Sequence, residues 1–240
     1  MRAFILLCFC ICFSNNVISQ KNLYLGFEFG VSSDQYDVFD TGSELLNTRV
    51  LSSSAGATIG FSFTDNLSIE TGAILKQYGR GYNFGGLESR TGFISSAMHT
   101  LQIPVRIRAR FPVVKDRLFL TGVMGYHRCY NLYNSESFGS IGSSGGAFLL
   151  DADEKYSGNL VQGFHLLETG IGLEYRIFKN VFLTFNASYF TGFKTVAQSD
   201  LAYSVNDEPV SRGTYRSNGS YASYNIGVRI PIGTLGGKKK

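Results

Sequence analysis

The feature that most restricts the fold of this chain is an apolar residue at every second position, repeated in one segment after another. Successive side chains of a β-strand point to opposite faces, so a period of two indicates strands with one apolar face. In the segment Leu23–Val31 every odd position is apolar, whereas the even positions hold Tyr, Gly, Glu and Gly. The pattern predicts long strands with one apolar face and one face of polar or small residues.

Eight segments are predicted to be strands, most of them because they show this alternation. They are Leu23–Val31, Ala55–Thr64, Leu67–Tyr78, His99–Phe111, Leu118–Tyr130, Leu167–Arg176, Val181–Gly192 and Tyr221–Ile232. The two faces of the fifth segment are the hardest to separate. The 28 glycines among 240 residues also favour an all-β chain over a helical bundle, because glycine destabilises a helix interior.

The links between the eight segments alternate in length. Those after the second, fourth and sixth segments are a few residues long, whereas the others are Ser32–Ser53, Gly79–Met98, Asn131–Gln162 and Phe193–Ser220. Short periplasmic turns alternating with long extracellular loops are typical of outer-membrane barrels. We therefore expect a transmembrane up-and-down antiparallel β-barrel of about eight strands over residues 20–235, with a polar tail at 236–240.

A soluble eight-stranded barrel is the competing fold, and the two differ in which face is apolar. A soluble barrel needs an apolar interior, because an unpaired charge inside a small core is very costly. Here the face opposite the apolar set carries Glu and Arg in several segments. The sequence therefore predicts an apolar outside in lipid and a charged inside. Ile59, Val105 and Ile171 should face outward, and Thr58 and Gly172 inward.

The first nineteen residues have the order of a secretory signal peptide. Arg2 precedes an apolar run from Ala3 to Phe13, and the polar stretch Ser14–Ser19 follows. A run of this length is too short for a helix that spans a bilayer about 30 Å thick. We expect cleavage after Ser19, with lipid attachment at Cys12 as the alternative. Cleavage would leave Cys129 as the single cysteine, and we interpret it as a small apolar side chain.

The charged inward face is the candidate site. We expect a network of ion pairs, because buried charges stay ionised only when they are paired and hydrogen-bonded. Its predicted members are Glu28, Glu70, Lys76, Arg106, Arg108, Glu168, Glu174 and Arg229. Glu70 and Arg108 should lie at similar height on neighbouring strands and form the first pair. An eight-stranded barrel is just wide enough for side chains to fill, so the network should plug the lumen. A narrow path for small ions is the alternative.

Motifs for catalysis or cofactor binding are weak in this sequence. Gly170 and Gly172 lack the third glycine of a dinucleotide-binding loop. The histidines His99, His127 and His165 lie near the loop ends of three predicted strands, where they could meet as a metal site or as bases of a hydrolase. We interpret them as hydrogen-bonding residues at the rim. The sequence therefore predicts no enzyme, cofactor or metal, and an enzymatic barrel is the less favoured alternative.

Two segments resemble the porin-family outer-membrane β-barrel proteins that are common in Bacteroidetes. Residues Thr100–Val105 are similar to that family's aromatic-Leu-Glu-Ile-Pro-Leu segment, and Leu167–Tyr175 to its Gly-x-Gly-hydrophobic-Glu-Tyr segment. Thr100 stands where the family has an aromatic residue, and Gln102 where it has Glu. The resemblance implies a barrel in the outer membrane and no particular activity.

Two classes of function follow from these features. The first is a structural or surface-binding barrel whose Tyr-, Ser- and Gly-rich loops meet a ligand or protein outside the cell. The second is a small porin-like channel or an accessory of a transport or secretion machine. In both classes the partners are outer-membrane lipid and the barrel assembly machinery. We expect no nucleic-acid partner, because Lys238–Lys240 form a solvated tail.

Overall fold

The computed structural model describes residues 22–42, 45–46, 49–84, 93–114, 117–134, 148–156, 163–178, 181–205 and 209–234. The predicted signal peptide, residues 1–19, and the predicted tail, residues 236–240, lie outside this range. Within it, no helix is long and apolar enough to cross a membrane.

Thirteen strands make up the described part of the chain. They are β1 (Asn22–Asp34), β2 (Asp37–Asp40), β3 (Leu45–Leu46), β4 (Val50–Ser62), β5 (Leu67–Phe84), β6 (Phe93–Val114), β7 (Leu118–Asn134), β8 (Phe148–Tyr156), β9 (Gly163–Phe178), β10 (Val181–Gly192), β11 (Ala197–Val205), β12 (Ser211–Ser217) and β13 (Tyr221–Thr234).

Eight of these strands close into one antiparallel barrel. Their order around the wall is β5, β4, β1, β13, β10, β9, β7, β6, and the pairing of β6 with β5 closes the ring. Each strand pairs with its sequence neighbours among the eight, and β1 pairs with β13. This is the up-and-down β-barrel that the alternation and the link lengths predict.

The outside of the barrel is apolar and the inside is polar. Outward side chains such as Val105 and Ile171 are 50% and 68% exposed, and Ile59 is 41% exposed, whereas inward Thr58 is 7% exposed. Exposed apolar residues cover all eight strands, and such a surface needs lipid around it because water would not solvate it. The facing predicted from the sequence is confirmed at these positions, and the fold is that of an outer-membrane barrel rather than a soluble one.

The short links close the strands tightly at one end of the barrel, called here the short-link end. After β4, the backbone N–H groups of Asn66 and Leu67 donate to the Thr64 hydroxyl at 3.2 and 3.0 Å. A threonine side chain that accepts from nearby N–H groups stabilises a turn in this way. The opposite end of the barrel is called the long-link end.

The interpretation of the long links as loops is wrong for much of their length. Strands β5, β6, β7 and β9 continue well past the predicted ends, and the links also contain β2, β3, β8, β11 and β12. Four of these form a separate sheet in the order β2, β12, β11, β8, which is called the platform below. Beyond the membrane both faces of a strand can be polar, so no alternation in the sequence marks these strands.

Candidate functional site: the charged barrel interior

Four carboxylates and four guanidinium groups meet inside the barrel and are called the interior network. Its members are Glu28, Glu70, Glu168, Glu174, Arg106, Arg108, Arg110 and Arg229. The four negative charges balance the four positive ones. Seven of the eight predicted site residues, all except Lys76, belong to this network, and Arg110 is its eighth member.

Arg106 forms the centre of the part of the network that lies nearer the long-link end. Its Nε donates to Glu168 Oε2 at 2.6 Å, and its Nη1 donates to Glu28 Oε2 at 2.9 Å. Glu28 lies on β1 and Glu168 on β9, so the guanidinium group of Arg106 on β6 bridges two strands that do not adjoin β6. One side chain therefore spans the lumen and holds a carboxylate on either side.

Glycine at position 125 provides the space for this bridge. A Cβ added to Gly125 would lie 2.9 Å from Arg106 Cγ and 3.2 Å from Glu168 Oε2. Both distances are shorter than ordinary van der Waals contacts. Gly125 therefore makes room for the charged side chains of Arg106 and Glu168.

Arg108 and Glu70 form the pair expected from the sequence. Arg108 Nε donates to Glu70 Oε1 at 2.8 Å and Nη2 donates to Oε2 at 3.3 Å. The remaining Nη1 donates to Asn186 Oδ1 at 3.1 Å, and the Tyr24 hydroxyl donates to Glu70 Oε1 at 2.8 Å. Both charged groups therefore have several hydrogen-bond partners, which offsets part of their desolvation.

The network continues toward the short-link end through Glu174. This fully buried carboxylate accepts from Arg110 Nη1 at 2.7 Å and also from Arg229 Nη1. Arg229 lies over the ring of Tyr24, 3.8 Å from its centroid, and its Nη2 lies 3.8 Å from Glu70 Oε1. Glu70, Arg229, Glu174 and Arg110 therefore form one chain of alternating charge.

Two phenylalanines and two arginines fill the barrel at the short-link end. The rings of Phe119 and Phe182 are 6.3 Å apart in an edge-to-face arrangement. Arg110 and Arg176 each lie over both rings, at 4.5 to 5.9 Å. This end is therefore filled by aromatic rings and cations.

Lys76 does not join the interior network, which corrects its predicted membership. Its ammonium group lies 2.8 Å from Asp34 Oδ1, and it also donates to the Ser52 hydroxyl and to the Gln77 carbonyl. The rings of Tyr78 and Tyr221 lie 4.3 and 4.8 Å away. The sequence prediction does not include Asp34, because the predicted first strand ends at Val31. The alternation of inward even positions continues through Ser32 to Asp34 and could have revealed it.

A layer of apolar and aromatic side chains lies next to the Lys76–Asp34 pair, toward the long-link end. Its buried members are Tyr78, Met98, Cys129, Phe164, Leu166, Phe190, Val196 and Tyr221. The rings of Phe190 and Tyr221 stack with centroids 4.2 Å apart. Cys129 is fully buried in this layer, in agreement with its interpretation as a small apolar side chain. The layer separates the charged interior from the platform.

The three histidines do not meet. His127 points inward, and its Nε2 lies 2.8 Å from Glu168 Oε2, whereas His165 lies on the lipid-facing surface beside Tyr126. The described residues contain no group of three or more metal-ligating side chains. His127 is therefore a buried member of the interior and not a rim residue. The sequence does not predict this, because the two faces of the fifth predicted strand are hard to separate.

Several buried polar atoms of the interior have no hydrogen-bond partner within the described protein. They include Gln102 Nε2, Thr121 Oγ1, His127 Nδ1 and Arg229 Nε. Buried polar atoms of this kind are usually satisfied by ordered water. The interior can therefore hold individual water molecules between its side chains.

A small apolar core joins the platform to neighbouring segments of the chain, including the start of β4. Tyr36, Leu45, Val50, Leu201, Tyr203 and Tyr215 are buried together. The Tyr203 hydroxyl lies 2.6 and 2.8 Å from the two oxygens of Asp40, which also accept from the backbone N–H groups of Gly42 and Leu45. Phe39 and Val210 are left 59% and 67% exposed. The long links thus support an ordered surface with exposed apolar side chains.

Comparison with known proteins shows the fold. No protein-family model and no curated protein matches the chain. The outer-membrane protein OprG from Pseudomonas aeruginosa is similar over 89% of this chain and 97% of its own, with 12% identity and a TM-score of 0.50. Neisserial surface protein A has 13% identity, coverage of 88% and 97%, and a TM-score of 0.47. The N-terminal β-barrel domain of P. aeruginosa OprF has 13% identity, coverage of 88% and 98%, and a TM-score of 0.46. At such identities the likeness shows the fold alone, and that fold is the eight-stranded outer-membrane β-barrel.

Proposed function

We propose that this protein is a non-conducting outer-membrane barrel that holds an ordered binding surface, the platform, outside the cell. The barrel acts as the anchor, and its interior is a plug of ion pairs. The platform supplies the contact with another molecule or surface. The long-link end is the extracellular end, as the alternation of short and long links indicates.

The bridge from Glu28 through Arg106 to Glu168 is the observation that carries the proposal. It crosses the lumen with hydrogen bonds of 2.9 and 2.6 Å, and Arg106 is only 2% exposed. An ion that passed this point would have to break at least one of these buried contacts. Breaking a buried pair leaves an uncompensated charge, which typically costs about 3 to 5 kcal/mol.

The platform supports the binding part of the proposal. Exposed apolar side chains on an ordered surface are typical of interaction sites. Arg216 lies over the ring of Phe39 at 5.8 Å, and arginine and aromatic residues are frequent among those that dominate binding energy. The chemistry of this surface fits a macromolecular partner that presents apolar and acidic groups.

A narrow polar path is the second candidate function. The unpartnered atoms Gln102 Nε2, His127 Nδ1 and Arg229 Nε favour it, because they can hold water inside the barrel. A file of such waters could carry small ions if the ion pairs open. This candidate needs the plug to be mobile, whereas the first candidate needs it to stay closed.

Single-channel recording on the refolded wild-type protein in a planar lipid bilayer distinguishes the two candidates. We expect no steady current above the noise of protein-free bilayers, with folding checked by the different migration of boiled and unboiled samples in detergent gels. Steady unitary currents from folded wild-type protein would overturn the proposal in favour of a channel.

A further inference from the structure

One charged residue lies on the lipid-facing surface of the barrel. Among the outward side chains that the structure describes on the eight barrel strands, Arg128 on β7 is the single Asp, Glu, Lys or Arg. All other outward positions with described side chains are apolar or uncharged. A charged residue on this face is destabilising at the middle of the bilayer and nearly neutral at its edge.

The position of Arg128 along β7 places it at the edge of the membrane. It lies ten residues beyond Leu118, the first residue of β7. At about 3.3 Å per residue and a strand tilt of about 40°, that distance corresponds to roughly 25 Å along the membrane normal, the height of the apolar band of such barrels. Tyr126 and Tyr130 flank Arg128 and are 44% and 41% exposed. Exposed aromatic residues mark the interface in these barrels.

The described neighbours of Arg128 supply no anion, and one of them is a second cation. Arg128 Nη1 donates to His165 Nε2, and the Tyr126 hydroxyl is bonded to His165 Nδ1. A guanidinium group only donates, so Nε2 is the acceptor and Nδ1 carries the proton. Lys194 lies close enough for its charge to act on His165. Among the residues described, no carboxylate pairs with Arg128.

An apolar groove lies on the same surface, toward the short-link end from this site. Its volume is about 850 Å³, and its outward-facing lining includes the small residues Ala109, Gly122, Ala187 and Ala222 beside the larger Met124 and Tyr189. Strand pairing connects the two features. Met124 is opposite Thr169, Tyr126 is opposite Leu167, and Arg128 is opposite His165. The groove therefore reaches within a few side chains of the cationic site.

We propose that Arg128, His165 and this groove bind one phosphorylated lipid of the outer leaflet. The lipid phosphate accepts from the Arg128 guanidinium group at the membrane edge, and an acyl chain lies in the groove below it. Charge-assisted hydrogen bonds from arginine to phosphate are strong. A concave apolar surface contacts more of an acyl chain than a flat wall does. The two features together fit an amphiphile with an anionic head.

The test is a binding titration by native mass spectrometry on the full-length mature protein in detergent. The probes are dioleoyl phosphatidic acid, dioleoylglycerol with the same acyl chains and no phosphate, and inorganic phosphate alone. We expect one molecule of phosphatidic acid to bind at least tenfold more tightly than dioleoylglycerol. Arg128→Gln should remove that preference, whereas Arg216→Gln in the platform should keep it.

A second variant tests the groove. A Cβ added to Gly122 would meet no atom within 4 Å, so the Gly122→Phe variant should fold, with its ring in the groove. It should weaken the binding of phosphatidic acid and of dioleoylglycerol at least fivefold. If its boiled and unboiled samples migrate alike, Gly122→Leu takes its place. Equal binding of phosphatidic acid by the wild type and Arg128→Gln would overturn the proposal. So would binding of inorganic phosphate as tight as that of the lipid, which would indicate a site for free phosphate.

Discussion

Arg108 and Glu70 face each other inside the barrel and are joined by two hydrogen bonds, Nε to Oε1 at 2.8 Å and Nη2 to Oε2 at 3.3 Å. The two side chains are 4% and 2% exposed. A two-pronged contact of this kind fixes the orientation of both groups. It also makes each charge dependent on the other, because neither can reach bulk water.

We predict strong coupling between these two residues. Glu70→Gln and Arg108→Gln should each lower the free energy of unfolding by about 3 to 5 kcal/mol, because each leaves a buried charge without its partner. The double variant should lose less than the sum of the two. Urea titrations of the folded barrel in lipid vesicles measure this double-mutant cycle. Strictly additive losses would mean that water already solvates both groups.

The bridge at Arg106 makes a prediction about conduction. Arg106→Ala removes a cation from the lumen and leaves Glu28 and Glu168 unneutralised. The variant should therefore leak, and its currents should favour cations over anions. Planar-bilayer recording with asymmetric potassium chloride measures both properties. Arg128→Ala, which removes an arginine from the outer surface, is the matched control and should stay silent. A silent Arg106→Ala barrel that is folded would show that other side chains close the lumen.

The loss of folding stability caused by an arginine on the lipid-facing surface should depend on its depth in the membrane. Met124→Arg and Ile171→Arg place a cation near the middle of the bilayer, where we expect a loss of about 2 to 4 kcal/mol in folding stability. Leu132→Arg, beyond Arg128 at the long-link end of β7, should lose only about 0 to 1 kcal/mol. The folded fraction in vesicles across a urea series provides the comparison. Equal losses at all three positions would contradict the assigned position of the membrane.

Two glycines on β7 predict opposite responses to a larger side chain. Gly125 faces the interior, where an added Cβ meets Arg106 and Glu168, whereas a Cβ at Gly122 meets nothing within 4 Å. Gly125→Leu should therefore lower stability by about 1 to 3 kcal/mol or more through overpacking. Gly122→Leu should be nearly neutral in the absence of added lipid. The midpoint of thermal unfolding in detergent ranks the two variants, and the reverse order would invalidate the assigned faces.

The proposed orientation predicts which end of the barrel reagents can reach on intact cells. A maleimide that cannot cross the outer membrane should label Phe39→Cys in the platform. It should label Asn66→Cys in a short link only after the outer membrane is permeabilised. The wild type should stay unlabelled, because Cys129 is fully buried. Labelling of Asn66→Cys alone on intact cells would mean that the barrel has the opposite orientation.

The amino-acid sequence by itself determined the strands of the barrel and the direction in which their side chains point. Alternation is a property of neighbouring residues, so Leu23 to Val31 or Leu101 to Ala109 reveals both the strand and its lipid-facing side without knowledge of the partner strands. Even the similar height of Glu70 and Arg108 could be predicted, because each lies a few residues from a short link at the same end of the barrel, the first at the start of β5 and the second at the end of β6.

Only the tertiary structure decided which charges meet and what the long links become. Lys76 pairs with Asp34 and not with the network, and His127 meets Glu168, because closure of the barrel sets which side chains face each other across the lumen. The platform is built from strands that are distant in sequence, such as β2 and β12. Contacts of this kind depend on the stagger of the whole barrel and on side-chain length, and no local pattern of residues records them.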